Sequence, residues 1–222
     1  MLILGIDDAG RGPLIGPMIL AGVLVTAEQD KKLKSLGAKD SKLLSHPERV
    51  RIAKEIEKSY KKTHIVISTP EEIDSSILSG TNLNTLEAKK AAEIINSLNS
   101  EKEKIKVIVD CPSVNTKVWK NKLLEFVSHQ DNLLVICEHK ADFTYPSVSA
   151  ASILAKVRRE EEVSKLKKQF GDFGSGYPSD PSTKKFLKEK GKELENSGIF
   201  RKTWATWKSV FPDKQQKKLF DY

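Results

Sequence analysis

Leu2-Ile3-Leu4-Gly5-Ile6-Asp7-Asp8-Ala9-Gly10-Arg11-Gly12-Pro13 carries an apolar run into two adjacent carboxylates and then a glycine-flanked arginine. The run predicts a buried strand, Leu2 to Asp7, that delivers the acids to the edge of a sheet. Two negative charges side by side at a buried position are costly, and the usual remedies are a shifted pKa or a metal ion. The glycines let backbone approach a ligand closely, and the arginine offers a planar fork for phosphate. An acid pair beside a phosphate-friendly loop points to metal-assisted chemistry on nucleic acid.

Working outward, Lys106-Val107-Ile108-Val109-Asp110 is a second strand that ends in an acid. Met18 to Thr26, His64 to Ser68 and Leu133 to Cys137 have the same β-branched, apolar character. Ser45 with Glu48 three residues on predicts a capped helix to Tyr60. A short helical piece follows Pro70, and Asn84 with Glu87 opens a helix to about Leu98. Further helices are expected over Val114 to Val127, from Pro146 to about Phe170, and from Thr183 to about Asn196. Alternating strands and helices predict an α/β protein, a mixed sheet with helices on its faces. No internal repeat and no low-complexity linker interrupts it.

The chain has 222 residues, enough for one sizeable core with a small appendage. Its longest uncharged stretch, Pro13 to Ala27, is too short for a comfortable membrane span and follows acids rather than a basic leader. A membrane protein and a signal peptide are therefore not expected. Cys111 and Cys137 lie in or beside strand-like runs with no zinc or disulfide spacing, so a reducing cytoplasm is expected. Lys and Arg number 38 against 30 Asp and Glu, a formal charge of +8. That charge fits a solvated lysine-rich surface as well as a polyanion footprint, so the acids must decide.

Asp7, Asp8 and Asp110 fall at strand ends, and Asp142 lies just beyond Leu133 to His139. Functional groups gather at strand ends in α/β sheets, so the four can converge on one cleft. An all-oxygen donor set favours Mg²⁺ or Mn²⁺, and two such ions roughly 4 Å apart would clamp both oxygens of a phosphodiester displacement. A turn or cap role for each acid remains open on spacing alone. Strand alternation also sends neighbours such as Asp7 and Asp8 to opposite faces unless the strand has ended, as Gly10 and Gly12 suggest.

The motifs resemble those of ribonuclease HII over most of the chain. They are Gly5 to Pro13, Asp40-Ser41-Lys42-Leu43-Leu44-Ser45, Tyr145 to Lys156 and Gly171 to Asp180; the last two, with Arg201-Lys202-Thr203-Trp204, are closest to archaeal members. The resemblance implies a ribonuclease H-like fold with a mixed five-stranded sheet. It implies a catalytic domain over residues 1–170 and a helical region over 171–212 that forms part of the substrate groove. The implied activity is endonucleolytic cleavage of RNA in RNA–DNA hybrids and at ribonucleotides embedded in duplex DNA, with two Mg²⁺ or Mn²⁺ ions. Asp7, Asp8, Asp110 and Asp142 map to the metal-site acids. Gly10, Arg11, Gly12 and Tyr177 map to contacts with the ribose 2′-hydroxyl and its nucleotide, and Lys42 to a phosphate contact. The family usually carries glutamate where this chain has Asp8. A competing reading, prompted by Asp8, is a hybrid-binding module with weak or no catalysis. Retention of four acids argues against it, since a pure binder gains nothing from negative charge facing phosphates. A dinucleotide-binding reading of Gly10 and Gly12 fails because the glycine fingerprint is incomplete.

Lys140, Lys156 and Arg158 form a second basic group near Asp142, where a solvent-facing role is equally open, and His139 and the cysteines are expected to pack. A monomer is expected. In the basic tail, residues 213–222, Gln216, Leu219 and Tyr222 have the spacing of a sliding-clamp-binding peptide, with one terminal aromatic rather than the usual two. One helical turn would bring Leu219 and Tyr222 to one side. A frayed terminus fits the same residues.

Overall fold

The computed structural model describes residues 1–35, 44–60 and 62–212. Its elements run β1 (Leu2–Ala9), β2 (Met18–Thr26), α1 (Ala27–Ser35), α2 (His46–Ser59), β3 (Thr63–Ser68), α3 (Pro70–Leu78) and α4 (Leu83–Leu98). They continue with β4 (Ile105–Asp110), α5 (Thr116–Leu124), β5 (Leu133–Glu138), α6 (Ala141–Thr144), α7 (Pro146–Phe170), α8 (Pro181–Lys190) and α9 (Ala205–Val210). The five strands form one sheet in the order β3-β2-β1-β4-β5. β1 is antiparallel to β2 and parallel to β4, and β4 is parallel to β5, so the expected mixed sheet is present. None of the described helices is long and apolar enough to cross a membrane.

The chain divides into two compact units that interleave in sequence. The first comprises Met1–Ala9, Ile19–Ile67 and Asn82–Arg159; the second comprises Gly10–Met18, Ser68–Thr81 and Glu160–Tyr222. The second unit thus takes in the β1–β2 connection, α3 and the last part of α7.

In the first unit β2 is buried on both faces, which is why it reads as a continuous apolar run rather than an alternation. Ile19, Ala21, Val23 and Val25 pack with Ile52, Ala53 and Ile56 of α2 and with Ala150, Ala151, Ile153 and Leu154 of α7. On the other face Gly22 faces α4, where a Cβ would run into the Ile94 side chain. Small residues bring α7 close as well, since a Cβ at Gly5 would collide with the Ser147 backbone. The second unit has its own core, in which Phe173, Phe186, Phe200, Trp207 and Phe211 form a chain of rings with successive centroids 5.7, 6.3, 5.0 and 4.8 Å apart.

Three expectations are corrected. Strand β1 does not end at Asp7: it continues to Ala9, with Asp7 opposite Ala21 and Asp8 opposite Leu20, because β2 offers paired backbone that far. Helix α4 starts at Leu83, capped by Asn82, whose side chain accepts from the Thr85 amide at 2.9 Å. Asn84 therefore lies inside the helix, and Glu87 sits in its second turn, buried, rather than beside the cap. Helix α8 begins at Pro181 behind an Asp180 cap and stops at Lys190, with turns following to residue 196. The capping pair of α2 is as expected, with the Glu48 carboxylate accepting from Ser45 N at 3.1 Å and Oγ at 2.7 Å.

Candidate active site

Strands β1 and β4 are parallel neighbours with Ile6 opposite Val109, so Asp7 and Asp110, each the next residue on its strand, lie side by side where β1 and β4 stop pairing with each other. Asp7, Asp8 and Asp110 all line one small cavity of about 10 Å³, near the least that holds a single water, walled also by Glu87, Leu20, Pro112 and Trp119. Asp7 is buried and Asp8 and Asp110 are half-buried. Asp8 lines the same cavity although it follows Asp7 directly and both lie within paired strand.

Burial is the main cause that holds the Asp7 carboxyl well above the usual carboxylate range, and the nearby charges of Asp8 and Asp110 push the same way. Hydrogen bonds from the Ser152 side chain and from the Asp8 amide, the latter at 2.7 Å to Oδ1, act in the opposite sense and fix the group's orientation. Asp110 is fixed in turn by the Ala141 amide, which donates to its Oδ1 at 3.0 Å. Ala141 opens α6, and Asp142 is the next residue, buried and in the first helical turn. Asp142 is therefore linked to the group through its neighbour rather than as part of the cavity wall. Lys140 turns the chain into α6 in the left-handed conformation, φ 57°.

The donor set fits a hard divalent cation. It is all carboxylate oxygen, it concentrates negative charge in a partly desolvated place, and neighbouring hydrogen bonds orient two of its members. Among the described residues no group of three or more His, Cys, Asp or Glu side chains is assembled so as to hold a metal ion, so the fit is one of donor chemistry. Cysteine chemistry is disfavoured independently. Neither cysteine is in a disulfide, and burial, with Cys111 beside it, pushes the Cys137 thiol up to about 12.

The loop residues form a second group, within the second unit. A Cβ built on Gly12 would lie 3.6 Å from Cε1 of Tyr177, so the tyrosine ring packs directly over a position with no side chain. Leu14 N and Ile15 N both donate to the Gly176 carbonyl, at 2.8 and 3.2 Å, and tie the two loops together. Asp180 braces the Tyr177 turn by accepting from Ser175 N at 2.6 Å and Ser182 N at 2.8 Å, and these bonds hold its carboxyl down at about 2. Tyr177 itself remains 38% exposed, unusual for an aromatic ring held this firmly. Lys42 and the clamp-like residues Gln216, Leu219 and Tyr222 lie outside the described residues.

Two residues of the acid group escape a reading by motif. Glu87 looks like a capping partner in the sequence, and only its burial on α4 brings it to the cavity. Ser152 looks like one of several small residues on the packing face of α7, and nothing in its local sequence signals a partner on β1.

Comparison with known proteins places these observations. A family model described as Ribonuclease HII matches residues 4–207. The chain is 46% identical over 219 residues to the ribonuclease HII of Pyrococcus furiosus, covering 98% of this chain and 95% of the relative. Among solved structures it is similar to the ribonuclease H2 from Pyrococcus horikoshii, with a TM-score of 0.85, 38% identity, and 95% and 97% of the two chains covered. It is also similar to the ribonuclease in the PCNA:RNase HII complex from Archaeoglobus fulgidus, with a TM-score of 0.80, 40% identity, and 92% and 95% covered.

Proposed function

The chain belongs to the ribonuclease HII family and is a metal-dependent hydrolase of the ribonuclease H type, and from that premise we propose that it cuts the RNA strand of RNA–DNA hybrids and single ribonucleotides embedded in duplex DNA. The observation that carries the reading is the convergence of Asp7, Asp8 and Asp110 on one cavity, with Asp142 tethered beside Asp110 through Ala141. Asp7, Asp8, Asp110 and Asp142 would hold two Mg²⁺ or Mn²⁺ ions, which when bound supply Lewis acidity and charge neutralisation at the scissile phosphate. Ser152 and the Asp8 amide orient Asp7, and the Ala141 amide orients Asp110, so two carboxylates meet the phosphate already aligned. The motifs offer no activated side-chain nucleophile. Water is therefore the attacking group, and the products are a 3′-hydroxyl and a 5′-phosphate. Gly10, Arg11, Gly12 and Tyr177 read the ribose, whose 2′-hydroxyl is what separates RNA from DNA. Lys42 contributes a phosphate contact. We assign residues 1–170 to catalysis and 171–212 to the substrate groove, and a cytoplasmic setting agrees with two cysteines that form no disulfide. Cleavage of matched duplexes carrying one ribonucleotide, four ribonucleotides or a full RNA strand tests the reading. Absence of cutting at the single ribonucleotide with either metal would refute it.

Two further expectations follow from the geometry. Asp8→Glu restores the methylene that most of the family carries at this position. It should shift the Mg²⁺ and Mn²⁺ activation curves while leaving the choice among duplexes unchanged; superimposable titrations would remove Asp8 from the ligand set. Tyr177→Phe should cost about 1 kcal/mol on a single-ribonucleotide duplex if the phenol makes one neutral hydrogen bond. Tyr177→Ala should cost roughly 1–3 kcal/mol if the ring stacks. Equal and negligible losses in kcat/KM would take Tyr177 out of the site.

A further inference from the structure

The acid group takes three of its contacts from one stretch of chain, α6 and the start of α7. The Ala141 amide donates to Asp110 Oδ1 at 3.0 Å, Asp142 is the next residue, and the Ser152 side chain hydrogen-bonds Asp7. Where α7 begins it is pressed onto β1: a Cβ on Gly5, just before the acids, would collide with the backbone of Ser147 and Val148. Ser147 lies midway in the chain between Asp142 and Ser152. The seating of this helix start on the sheet therefore sets where both stand relative to Asp7 and Asp110. All of these residues belong to the first compact unit.

The first turn of α7 needs an outside acceptor. Pro146 opens the helix and has no N–H, so Ser147 carries its first amide donor, one that no carbonyl of the helix itself can take. Tyr145, in front of it, is not a capping residue by type, and its phenol donates to Glu138 Oε2 at 3.1 Å. The acceptor comes instead from α1. Asp30 Oδ1 accepts from Ser147 N at 3.0 Å, across 117 positions of sequence. A carboxylate is also the charge that a helix N-terminus favours. Helix α1 has a single buried residue, Leu33, so the Asp30 bond is a large part of what ties it to the sheet's helical layer.

On the reading given under Proposed function, we infer that Asp30 is a positioning residue for the reaction. By capping α7 from α1 it fixes the α6–α7 segment on the sheet, and through that segment the alignment of Asp7, Asp110 and Asp142 on which metal binding and turnover depend. Asp30 is no part of the cavity wall. Its effect is carried by an acceptor of the right reach, and a misplacement of about 1 Å at the reacting groups costs on the order of 100-fold in rate.

Two measurements on the full chain, both well below its melting temperature, test this: Mn²⁺ binding by calorimetry without substrate, and steady-state cleavage of a hybrid duplex in Mg²⁺. Asp30→Ala should weaken Mn²⁺ binding about tenfold, the low end for losing a group that orients metal ligands, and lower kcat about tenfold with KM within about twofold. Asp30→Asn keeps an oxygen acceptor at the same reach and should stay within about threefold of wild type in both measurements. A cap that serves stability alone would lower the melting temperature and leave Mn²⁺ affinity and kcat of the folded protein unchanged. That result in Asp30→Ala overturns the inference, and so does an equal loss in Asp30→Asn. If Asp30→Ala does not fold, Asp30→Ser, whose hydroxyl is too short to reach the amide, replaces it under the same criteria; failure of both to fold makes Asp30 a stability residue and overturns the inference as well. Failure of the wild-type protein to bind Mn²⁺ or to cut the hybrid would instead overturn the function on which the inference rests.

Discussion

Asp7→Asn abolishes useful turnover: cleavage of a hybrid duplex in Mg²⁺ falls by about three orders of magnitude or more, and Asp110→Asn does the same. The magnitude follows from losing several kcal/mol of metal-based charge stabilisation, at about 1.4 kcal/mol per decade in rate. Hybrid binding without metal survives or improves, because one negative charge facing the phosphates has gone. Full cleavage in EDTA, or in the Asp7→Asn protein, would sink the assignment.

The same substitution has a stability signature with a definite sign. Folding raises the Asp7 carboxyl above its ordinary range, chiefly through burial and then through the charges of Asp8 and Asp110. A carboxyl raised in this way contributes its stability fully below the ordinary carboxylate pKa and loses that contribution as pH climbs through the raised value. Metal-free wild-type protein is thus penalised at neutral pH, and Asp7→Asn relieves the penalty. The variant should melt higher than wild type in EDTA at neutral pH, by a few degrees if the gain is about 1–2 kcal/mol. It should also show a smaller rise on adding Mg²⁺, since binding to the folded state alone is what stabilises. A melting temperature for Asp7→Asn below wild type in EDTA would mean that the carboxylate is well satisfied without metal.

Much of this is legible in the sequence because the sheet announces itself. β2 is apolar at nearly every position and β1 and β4 are short runs closed by acids, so their pairing into an α/β core follows from burial alone. The small-residue start of α7 likewise signals close packing. What stays hidden depends on a shift of two residues or on long-range partners. Asn82 and Asn84 are equally good caps by type, and a cap at Asn84 would make Glu87 a capping residue instead of the cavity-lining acid it is. α1 is charged and carries a single buried residue, Leu33, so its periodicity is faint. Arg201 enters the sequence reading only as part of a motif, because nothing local reveals that it donates to carbonyls nearly two hundred residues earlier in the chain. The second unit is assembled from three separate stretches around aromatic rings, and no composition shift marks such an assembly.

Deleting residues 215–222 leaves cleavage of short duplexes unchanged and abolishes binding to the organism's own sliding clamp. The deletion removes Gln216, Leu219 and Tyr222, which have the spacing of a clamp-binding peptide, in which one helical turn would bring an aliphatic and an aromatic side chain to one side. The expected partner is a sliding clamp, on the spacing of those three residues. The cleavage machinery argued above lies entirely in residues 7–204, so loss of the tail has no route to the chemistry. Its effect should appear only where tethering matters. A second binding site raises the effective concentration of enzyme at clamp-loaded DNA, so wild-type protein should cut a ribonucleotide on such DNA faster than on naked DNA at equal enzyme concentration. The deletion protein should cut both at the naked rate. Leu219→Ala with Tyr222→Ala should reproduce the deletion, because the apolar pair supplies the burial while Lys217 and Lys218 add only screened surface charge. If wild-type protein fails to bind the clamp at tens of micromolar, roughly the weak end for a short helical peptide, the tail is not a docking peptide. The same conclusion follows if the double substitution binds as well as wild type.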